Sequence, residues 1–322
     1  MPSVCAAVVT RNRKRLLSEC VHALLGSTSP PDRVLIVDSA STDGTREALE
    51  TEGLLADERV QYERLERNRG SAGGYGHAVT RAAAAEYDWV WLMDDDAEPR
   101  PDALERLLAS PPASDPGTAA LASAVVLPSG EIDLLHRGHV GRFLRMAPRE
   151  AYRHGHHADL GFVSWTGLMV RGSVARALDP PPEEFFSWGD DVEYTLRVRR
   201  HGRLRLVPES IVVHKAQMGG ARPTRRGRLW GRLLGAEYPS ASWEDYWKQL
   251  YGIRNFAWIR RHHLRSGPLT IVGLTAAYIG KSLLYDERPL RRIPWIVRFV
   301  RAGWRGNFDG PTPEQWHAIA AA

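Results

Sequence analysis

Apolar residues fall in short bursts through the first two hundred positions, and their spacing alternates between two periods. Val4 to Thr10 is a continuous β-branched, apolar run that reads as a strand, whereas Leu16 to Leu25 repeats its apolar positions as an amphipathic helix does. In RVLIVDSASTDGTREALE, Val34 to Val37 reads as a buried strand, Asp38 stands at its carboxyl end, and Ser41, Thr42 and Asp43 cap a following helix. Tyr87 to Met93 is the next strand, and Pro99 and Pro101 start a helix that runs to Leu108. Ala119 to Leu127 and Gly161 to Val170 read as strands, and Asp190 to His201 as a helix stopped by Gly202. Leu204 to Val213 is a last strand, ending in His214. Such alternation predicts βαβ units: an α/β fold with a mostly parallel central sheet, flanking helices and right-handed crossovers. Beyond about residue 220 the pattern changes to tryptophan- and arginine-rich helical segments, and the Gly, Pro and Arg of MGGARPTRRGR mark a boundary. Two regions are expected, residues 1–220 and a helical 221–322.

A chain of 322 residues with 43% apolar content can bury one large core or two modest ones. No internal repeat or low-complexity segment interrupts it. Met1 to Arg15 lacks the succession of a signal peptide, and the longest uncharged apolar stretch, Leu269 to Gly280, is shorter than the roughly 20 residues a bilayer requires. A cytoplasmic protein without a transmembrane helix is expected. Cys5 and Cys20 are too few for a four-ligand zinc site and read as buried thiols. The net charge is +5, and arginines such as Arg222, Arg225, Arg226, Arg228, Arg291 and Arg292 concentrate it in the C-terminal part. Nucleic acid, anionic lipid and a phosphorylated substrate all suit such a surface.

Four stretches carry candidate chemistry. In WLMDDDAEP, Asp94, Asp95 and Asp96 follow a strand, and ligands of open α/β sheets bind at the strands' carboxyl ends, so these residues and Asp38 are expected at one crevice. A hard cation such as Mg²⁺ or Mn²⁺ takes carboxylates together with substrate phosphate oxygens. Asp96, with Asp94, is the candidate ligand; a solvated helix cap is the plainer use of an isolated acidic triplet. In NRGSAGGYGHAV, Gly70, Gly73, Gly74 and Gly76 precede an alanine-rich helical run and would let backbone approach a phosphate, or else form a flexible turn. The spacing matches neither a Walker loop nor a dinucleotide fingerprint. In FFSWGDDVEYTLRVRRHG, Asp190, Asp191 and Glu193 suit a helix N-terminus; an aspartate there, flanked by Phe186 and Trp188, would be partly desolvated and able to act as a general base toward a sugar hydroxyl. His214 in SIVVHK is an ordinary strand-end histidine by type, but its position returns it to the crevice edge, where a third metal ligand is wanted.

Taken in order, VVTRNR, VDSASTDGT, NRGSAGGYGHAV, WLMDDDAEP, WGDDVEYTLR and VVHK resemble the family 2 glycosyltransferases, inverting enzymes with the GT-A nucleotide-diphospho-sugar transferase fold. The likeness spans roughly residues 3 to 215. The tryptophan before the double aspartate, the glycine pair after Asn68 and the terminal His214 resemble the galactofuranosyltransferases in particular; rhamnosyltransferases using dTDP-rhamnose are the nearest rival.

The resemblance implies metal-dependent transfer of galactofuranose from UDP-galactofuranose to a hydroxyl of a glycan or polyprenyl-linked glycan. It assigns Asp38 to the nucleotide, with Thr10 and Arg11 near base or ribose, and Asn68, Gly73, Gly74, Asp94 and Asp95 to the nucleotide-sugar site. Asp94, Asp96 and His214 would hold Mg²⁺ or Mn²⁺, and Asp191 would be the catalytic base. Trp165, Trp188 and Asp190 fall to the acceptor subsite, and Glu193 either supports the base or binds acceptor hydroxyls. Polymerising members carry an additional N-terminal β-rich domain, so addition of one or a few sugars is the expectation here.

In the C-terminal region, DYWKQLYGIRNFAWIRRHH and RRIPWIVRFVRAGWRGNFDG interleave aromatic residues with arginine. Such helices lie at an anionic membrane surface, which would make the protein peripheral to the inner face of the cell membrane, or else they cover the catalytic domain or form a homo-oligomer interface. Tyr251, Arg254 and Asn255 resemble a motif of related transferases without an assigned role. A nucleotidylyltransferase would show a glycine-rich basic signature near its first strand, which VVTRNRKRLL lacks. An acidic crevice and the lack of a recognisable module argue against a nucleic-acid partner. Intact Asp96, Asp191 and His214 argue against a sugar-binding protein without activity.

Overall fold

The computed structural model describes residues 2–141, 144–215, 224–234 and 242–321. Its strands are β1 (Val4–Thr10), β2 (Arg33–Asp38), β3 (Val60–Arg64), β4 (Trp89–Asp94), β5 (Ala97–Pro99), β6 (Thr118–Val126), β7 (Arg137–Val140), β8 (Leu144–Met146), β9 (Asp159–Leu160), β10 (Phe162–Val163), β11 (Leu168–Arg171) and β12 (Arg203–His214). The helices are α1 (Lys14–Leu25), α2 (Thr45–Thr51), α3 (Gly70–Ala84), α4 (Ala103–Ala109), α5 (Pro111–Ser114), α6 (Gly172–Ala177), α7 (Asp190–Val198), α8 (Arg225–Leu234), α9 (Tyr246–His262), α10 (Leu269–Tyr285), α11 (Pro289–Arg305) and α12 (Pro313–Ala321). The chain divides into two units: residues 1–183 with 191–216, and residues 184–190 with 217–322. The expected boundary segment, residues 218–228, lies outside the described residues up to 223.

The first unit is an α/β fold around a nine-stranded sheet of order β3-β2-β1-β4-β11-β6-β12-β5, with β9 on β12. Pairings among β3, β2, β1 and β4 are parallel, as is β6 with β12, while β11 runs antiparallel to both β4 and β6. Along β1 the side chains alternate between two cores, Cys5 and Ala7 to one face, Val4, Ala6 and Val8 to the other. Burial on both faces explains why such strands read as uninterrupted apolar runs. Both cysteines are buried and free, and burial pushes Cys5 up to about 12 and Cys20 well above the usual thiol range.

Four local expectations change. The glycine run does not precede a helix but begins one, because α3 starts at Gly70. Gly74 lets that helix press on the sheet: a Cβ there would stand 2.5 Å from Val9 Cγ1. Pro99 closes β5 instead of opening a helix, so α4 begins only at Ala103; β5 lies at the end of the sheet order, where proline costs no central ladder bond. The run from Gly161 to Val170 splits into β10 and β11, interrupted at Gly167 with φ +72°. Helix α7 ends at Val198, three residues short of the expected end at His201 before Gly202.

In the second unit, α9 is interior, not a surface helix: Leu250, Tyr251, Ile253, Phe256, Ala257 and Ile259 are all buried. Trp316 packs its ring against Trp243 and Trp295, with centroids 5.1 Å away in each case. Exposed apolar side chains collect elsewhere, at Leu229 and Leu233 on α8, Leu269, Val272 and Leu283 on α10, and Leu290 on α11. No helix among the described residues is long and apolar enough to cross a membrane.

Candidate active site

Parallel pairing places the carboxyl ends of β1, β2 and β4 side by side, with Thr10 opposite Asp38 and Val9 opposite Asp94. The loops that follow are tied together: Asn12 N–H donates to Ser41 Oγ at 2.9 Å, and Thr42 N–H to Asn12 Oδ1 at 2.7 Å. Asn12 and Ala40 adopt positive φ, +53° and +60°, the kind of local strain that collects at functional edges. Asp38 is buried, accepting from Ser41 N–H at 2.8 Å and from the Tyr62 hydroxyl. Arg11 is exposed, and Asn68 Oδ1 accepts from Gly70 N–H at 3.0 Å, at the start of α3.

Each carboxylate of the acidic turn has different partners. Asp94 accepts from Tyr75 Oη at 2.5 Å and from the Thr166 hydroxyl. Asp95 accepts from Thr10 Oγ1 at 2.7 Å and meets Arg13 Nη1 at 3.1 Å; burial raises its carboxyl to about 6 despite Arg13. Asp96 Oδ2 lies 2.5 Å from Arg13 Nη1, so the one guanidinium faces two acids. Asp96 is 5% exposed, and its Oδ1 has no hydrogen-bond partner.

That orphaned oxygen faces His214 Nε2 across 3.4 Å, in an alignment that makes no hydrogen bond. Strand β5 explains the juxtaposition. It follows Asp96 directly and runs antiparallel to β12, with Ala97 opposite His214 and Lys215 N–H donating to Asp96 O at 2.8 Å. The sequence expectation that a strand would return His214 to the acidic turn is met by this register.

Behind His214 stand two residues that the sequence reading missed. Asp133 Oδ2 is 3.7 Å from His214 Nδ1 and 3.2 Å from His136 Nε2, and one ligand atom from each of Asp133, His136 and His214 lies within 4.8 Å of the others. Imidazole and carboxylate donors of this kind suit a divalent cation. The hint in the sequence was the Asp-x-x-His spacing of IDLLH, with no indication of what it would face. His136 Nδ1 contacts Ser164 Oγ at 2.8 Å. Arg137, fully buried, gives Nη2 to the carbonyls of Ser123 at 2.7 Å and Thr166 at 2.6 Å; burial lowers it to about 10, while Asp133, Asp191 and Asp94 act to raise it.

Burial works against a charged His214, but Asp133 and Asp96 win and raise it to about 10. Asp96 is held below its usual range, His214 and then Arg13 outweighing burial, and Asp133 lies well below. A histidine whose folded value exceeds its unfolded value near 6.5 contributes stability that is complete below the latter and lost as pH rises toward about 10. The melting temperature of the cation-free protein is therefore expected to fall across that alkaline window. His214→Asn should flatten the slope, as differential scanning fluorimetry over pH will show; an unchanged slope would remove this protonation from the account.

Asp191, the second residue of α7, is half-buried, and its Oδ1 accepts from Val192 N–H at 2.7 Å. Glu193 is buried and bound by Arg197 through two contacts of 2.8 Å, so its carboxylate is engaged within the helix. Trp165 is also buried, stacked on Tyr75 with centroids 4.5 Å apart and tilted against Tyr194. Asp190 is buried, whereas Trp188 is 42% exposed. Gly73 lies inside α3, where a Cβ would meet Arg69 Cβ at 2.4 Å.

Comparison with known proteins gives a consistent result. The model of glycosyl transferase family 2 matches residues 5–177, more than half of the chain. A galactofuranosyltransferase, GlfT1 of Mycolicibacterium smegmatis, is 30% identical over 95% of this chain and 98% of its own length. An N-acetylglucosaminyl-diphospho-decaprenol L-rhamnosyltransferase of Mycobacterium tuberculosis is 29% identical over 64% of this chain and 74% of its own. Among solved structures, a mannosyltransferase of Pyrobaculum calidifontis in complex with GDP-Man and Mn²⁺ superposes with a TM-score of 0.54 at 19% identity, over 99% of this chain and 79% of that one.

Proposed function

Because the chain belongs to glycosyl transferase family 2 and is similar to galactofuranosyltransferases over nearly its full length, we propose that it transfers galactofuranose from UDP-galactofuranose to a hydroxyl of a glycan or polyprenyl-linked glycan, with inversion. The observation that carries the reading at the site is the pairing of Asp96 Oδ1 with His214 at the carboxyl edge of the sheet, beside Thr10 and Asp38.

The donor set fits a divalent cation. A buried carboxylate oxygen without a hydrogen bond, opposite an imidazole nitrogen, is an arrangement that an oxygen- and nitrogen-seeking ion would satisfy. Asp96 and His214 are the residues we propose to hold Mg²⁺ or Mn²⁺, with Asp94 kept at the same turn by Tyr75 and Thr166. When bound, the ion would neutralise charge on the departing diphosphate. Asp133 then serves as the carboxylate that orients His214 from its Nδ1 side. Arg13 neutralises Asp95 and Asp96 already and would compete with the ion.

The chain's own residues divide the remaining work. Asp191 takes the proton of the acceptor hydroxyl as it attacks the anomeric carbon, and the aromatic residue Trp188 offers a face to the acceptor sugar. Asp38, Thr10, Asn68 and the α3 glycines bound the nucleotide end. Glu193, held by Arg197, stiffens the first turns of α7 and so supports the base.

Incubation with a panel of nucleotide sugars, followed by detection of released nucleotide, tests the reading. UDP release from UDP-galactofuranose supports it. Selective dTDP release from dTDP-rhamnose would replace it with the rhamnosyltransferase alternative, which the relative from M. tuberculosis favours.

We further propose that the helical unit rests on an anionic membrane surface. Support comes from exposed Leu229, Leu233, Leu269, Val272 and Leu290 occurring with exposed Arg225, Arg228, Arg288 and Arg291 in the same unit. Cosedimentation with phosphatidylglycerol vesicles but not with neutral vesicles is the expected outcome. No binding to either, with self-association in sedimentation velocity, would assign the apolar surface to a homo-oligomer instead.

A further inference from the structure

Residues 184–190 precede the proposed base, yet they group with the helical unit and not with the sheet. Their backbone turns through the left-handed region at Phe186, Trp188 and Gly189, with φ of +59°, +66° and +86°, which is strained for the two aromatic residues. Two bulky aromatic residues hold such a conformation only where their surroundings over-determine it.

Arg254 and Asn255, adjacent on α9, provide that constraint. Asn255 Nδ2 lies 2.9, 3.1 and 2.8 Å from the carbonyl oxygens of Phe185, Ser187 and Trp188, so two N–H groups are shared among three acceptors. Arg254 Nη2 donates to the carbonyls of Glu184 and Phe185 at 2.9 and 3.2 Å, and Nη1 to that of Phe308 at 2.6 Å. Its Nε donates to Asn255 Oδ1 at 3.0 Å, which fixes the orientation of the amide. The two residues are 2% and 0% exposed. In that dry setting each carbonyl bond is costly to lose.

The same helix also seats the aromatic residues. Phe186 meets Tyr251 edge to face, with centroids 5.7 Å apart. Trp188 lies over Gly252, where a Cβ would stand 2.9 Å from its Cε3, and much of its indole remains open to solvent. Helix α11 can reach the backbone of α9 because Gly303 has no side chain: a Cβ there would come within 1.9 Å of Arg254 O.

We propose that Arg254 and Asn255 are positioning residues for sugar transfer: they lock the 184–190 backbone so that Trp188 is displayed to an acceptor sugar ring and α7 begins with Asp191 in place. The proposal rests on the function proposed above. It gives helix α9 a duty in transfer through the segment of chain that leads directly into α7.

The test uses the whole chain as wild type, Asn255→Asp and Arg254→Lys. Four quantities are measured: amide hydrogen exchange across 184–191, UDP affinity, acceptor KM and kcat. Asn255→Asp keeps the side-chain size but sets a carboxylate against three carbonyls. Exchange across 184–191 should rise by about tenfold or more, as a lost set of buried hydrogen bonds requires. Acceptor KM should rise and kcat fall by about 10²-fold, while UDP affinity stays unchanged. Arg254→Lys, which keeps its charge and part of its donor capacity, should fall between wild type and Asn255→Asp. Unchanged exchange and acceptor KM in both variants overturn the proposal, as does a UDP affinity that drops in parallel with them, since that marks general loss of fold. If Asn255→Asp does not fold, Arg254→Lys decides on the same readouts. A wild-type protein without transfer activity overturns the function above, and the exchange data then decide the backbone lock by themselves.

Discussion

Asp191→Asn is expected to reduce the transfer rate by about 10²–10⁴-fold, the range that a positioned general base contributes. Asparagine retains the oxygen that accepts from Val192 N–H, so the first turn of α7 should persist and the loss should fall on proton transfer alone. Donor affinity should not change, because the acidic turn is held by Thr10, Arg13 and Tyr75. Steady-state kinetics beside UDP titration calorimetry checks both halves. A variant with near wild-type kcat would end the assignment of Asp191 as base.

The second large effect is expected from Asp96→Asn, where cation-dependent donor affinity should fall by at least about 10²-fold, more than the usual cost of losing an outer-sphere partner. The substitution preserves volume but removes the charge that faces both Arg13 and His214. His214 then loses one of the two acids that hold its proton, and its raised value should drop. Arg13 keeps Asp95 at 3.1 Å, so the turn itself should survive. Titration of UDP binding with and without Mn²⁺ reads the effect. Equal Mn²⁺ stimulation in wild type and variant would show that Asp96 does not hold the ion.

Residues whose placement depends on strand order alone were legible in the sequence. Thr10, Asp38 and Asp94 end three apolar runs, and parallel pairing of those runs brings their ends together without further information. His214 was legible as the end of a long strand, although what seats it beside Asp96 is β5, a three-residue strand hidden in AEP. Asp133 and His136 were not legible. They follow β6, and only the β6–β12 register brings them to the ring of His214 nearly eighty positions later.

Other residues have packing duties that their type does not announce. Gly74 stands in a stretch that the resemblance assigns to the nucleotide-sugar site, and in the fold its missing side chain also lets α3 approach Val9. Trp165, which the resemblance assigns to the acceptor subsite, is buried by its stacking on Tyr75. Strand β3 escaped notice because a half-buried strand reading VQYER has no apolar run. Arg254 and Asn255 could be seen as a motif, but their partners are backbone carbonyls, which leave no mark on side-chain identity.

A single catalytic carboxylate on the acceptor side, with the diphosphate leaving from the other, requires one displacement and therefore reversal at the anomeric carbon. The most direct measurement is nuclear magnetic resonance of the product formed from UDP-galactofuranose, Mn²⁺ and a polyprenyl-linked acceptor. The account predicts a newly attached galactofuranosyl residue whose anomeric configuration is opposite to that of the donor. Retained configuration, or an acceptor left unmodified while dTDP-rhamnose is consumed in its place, would contradict it.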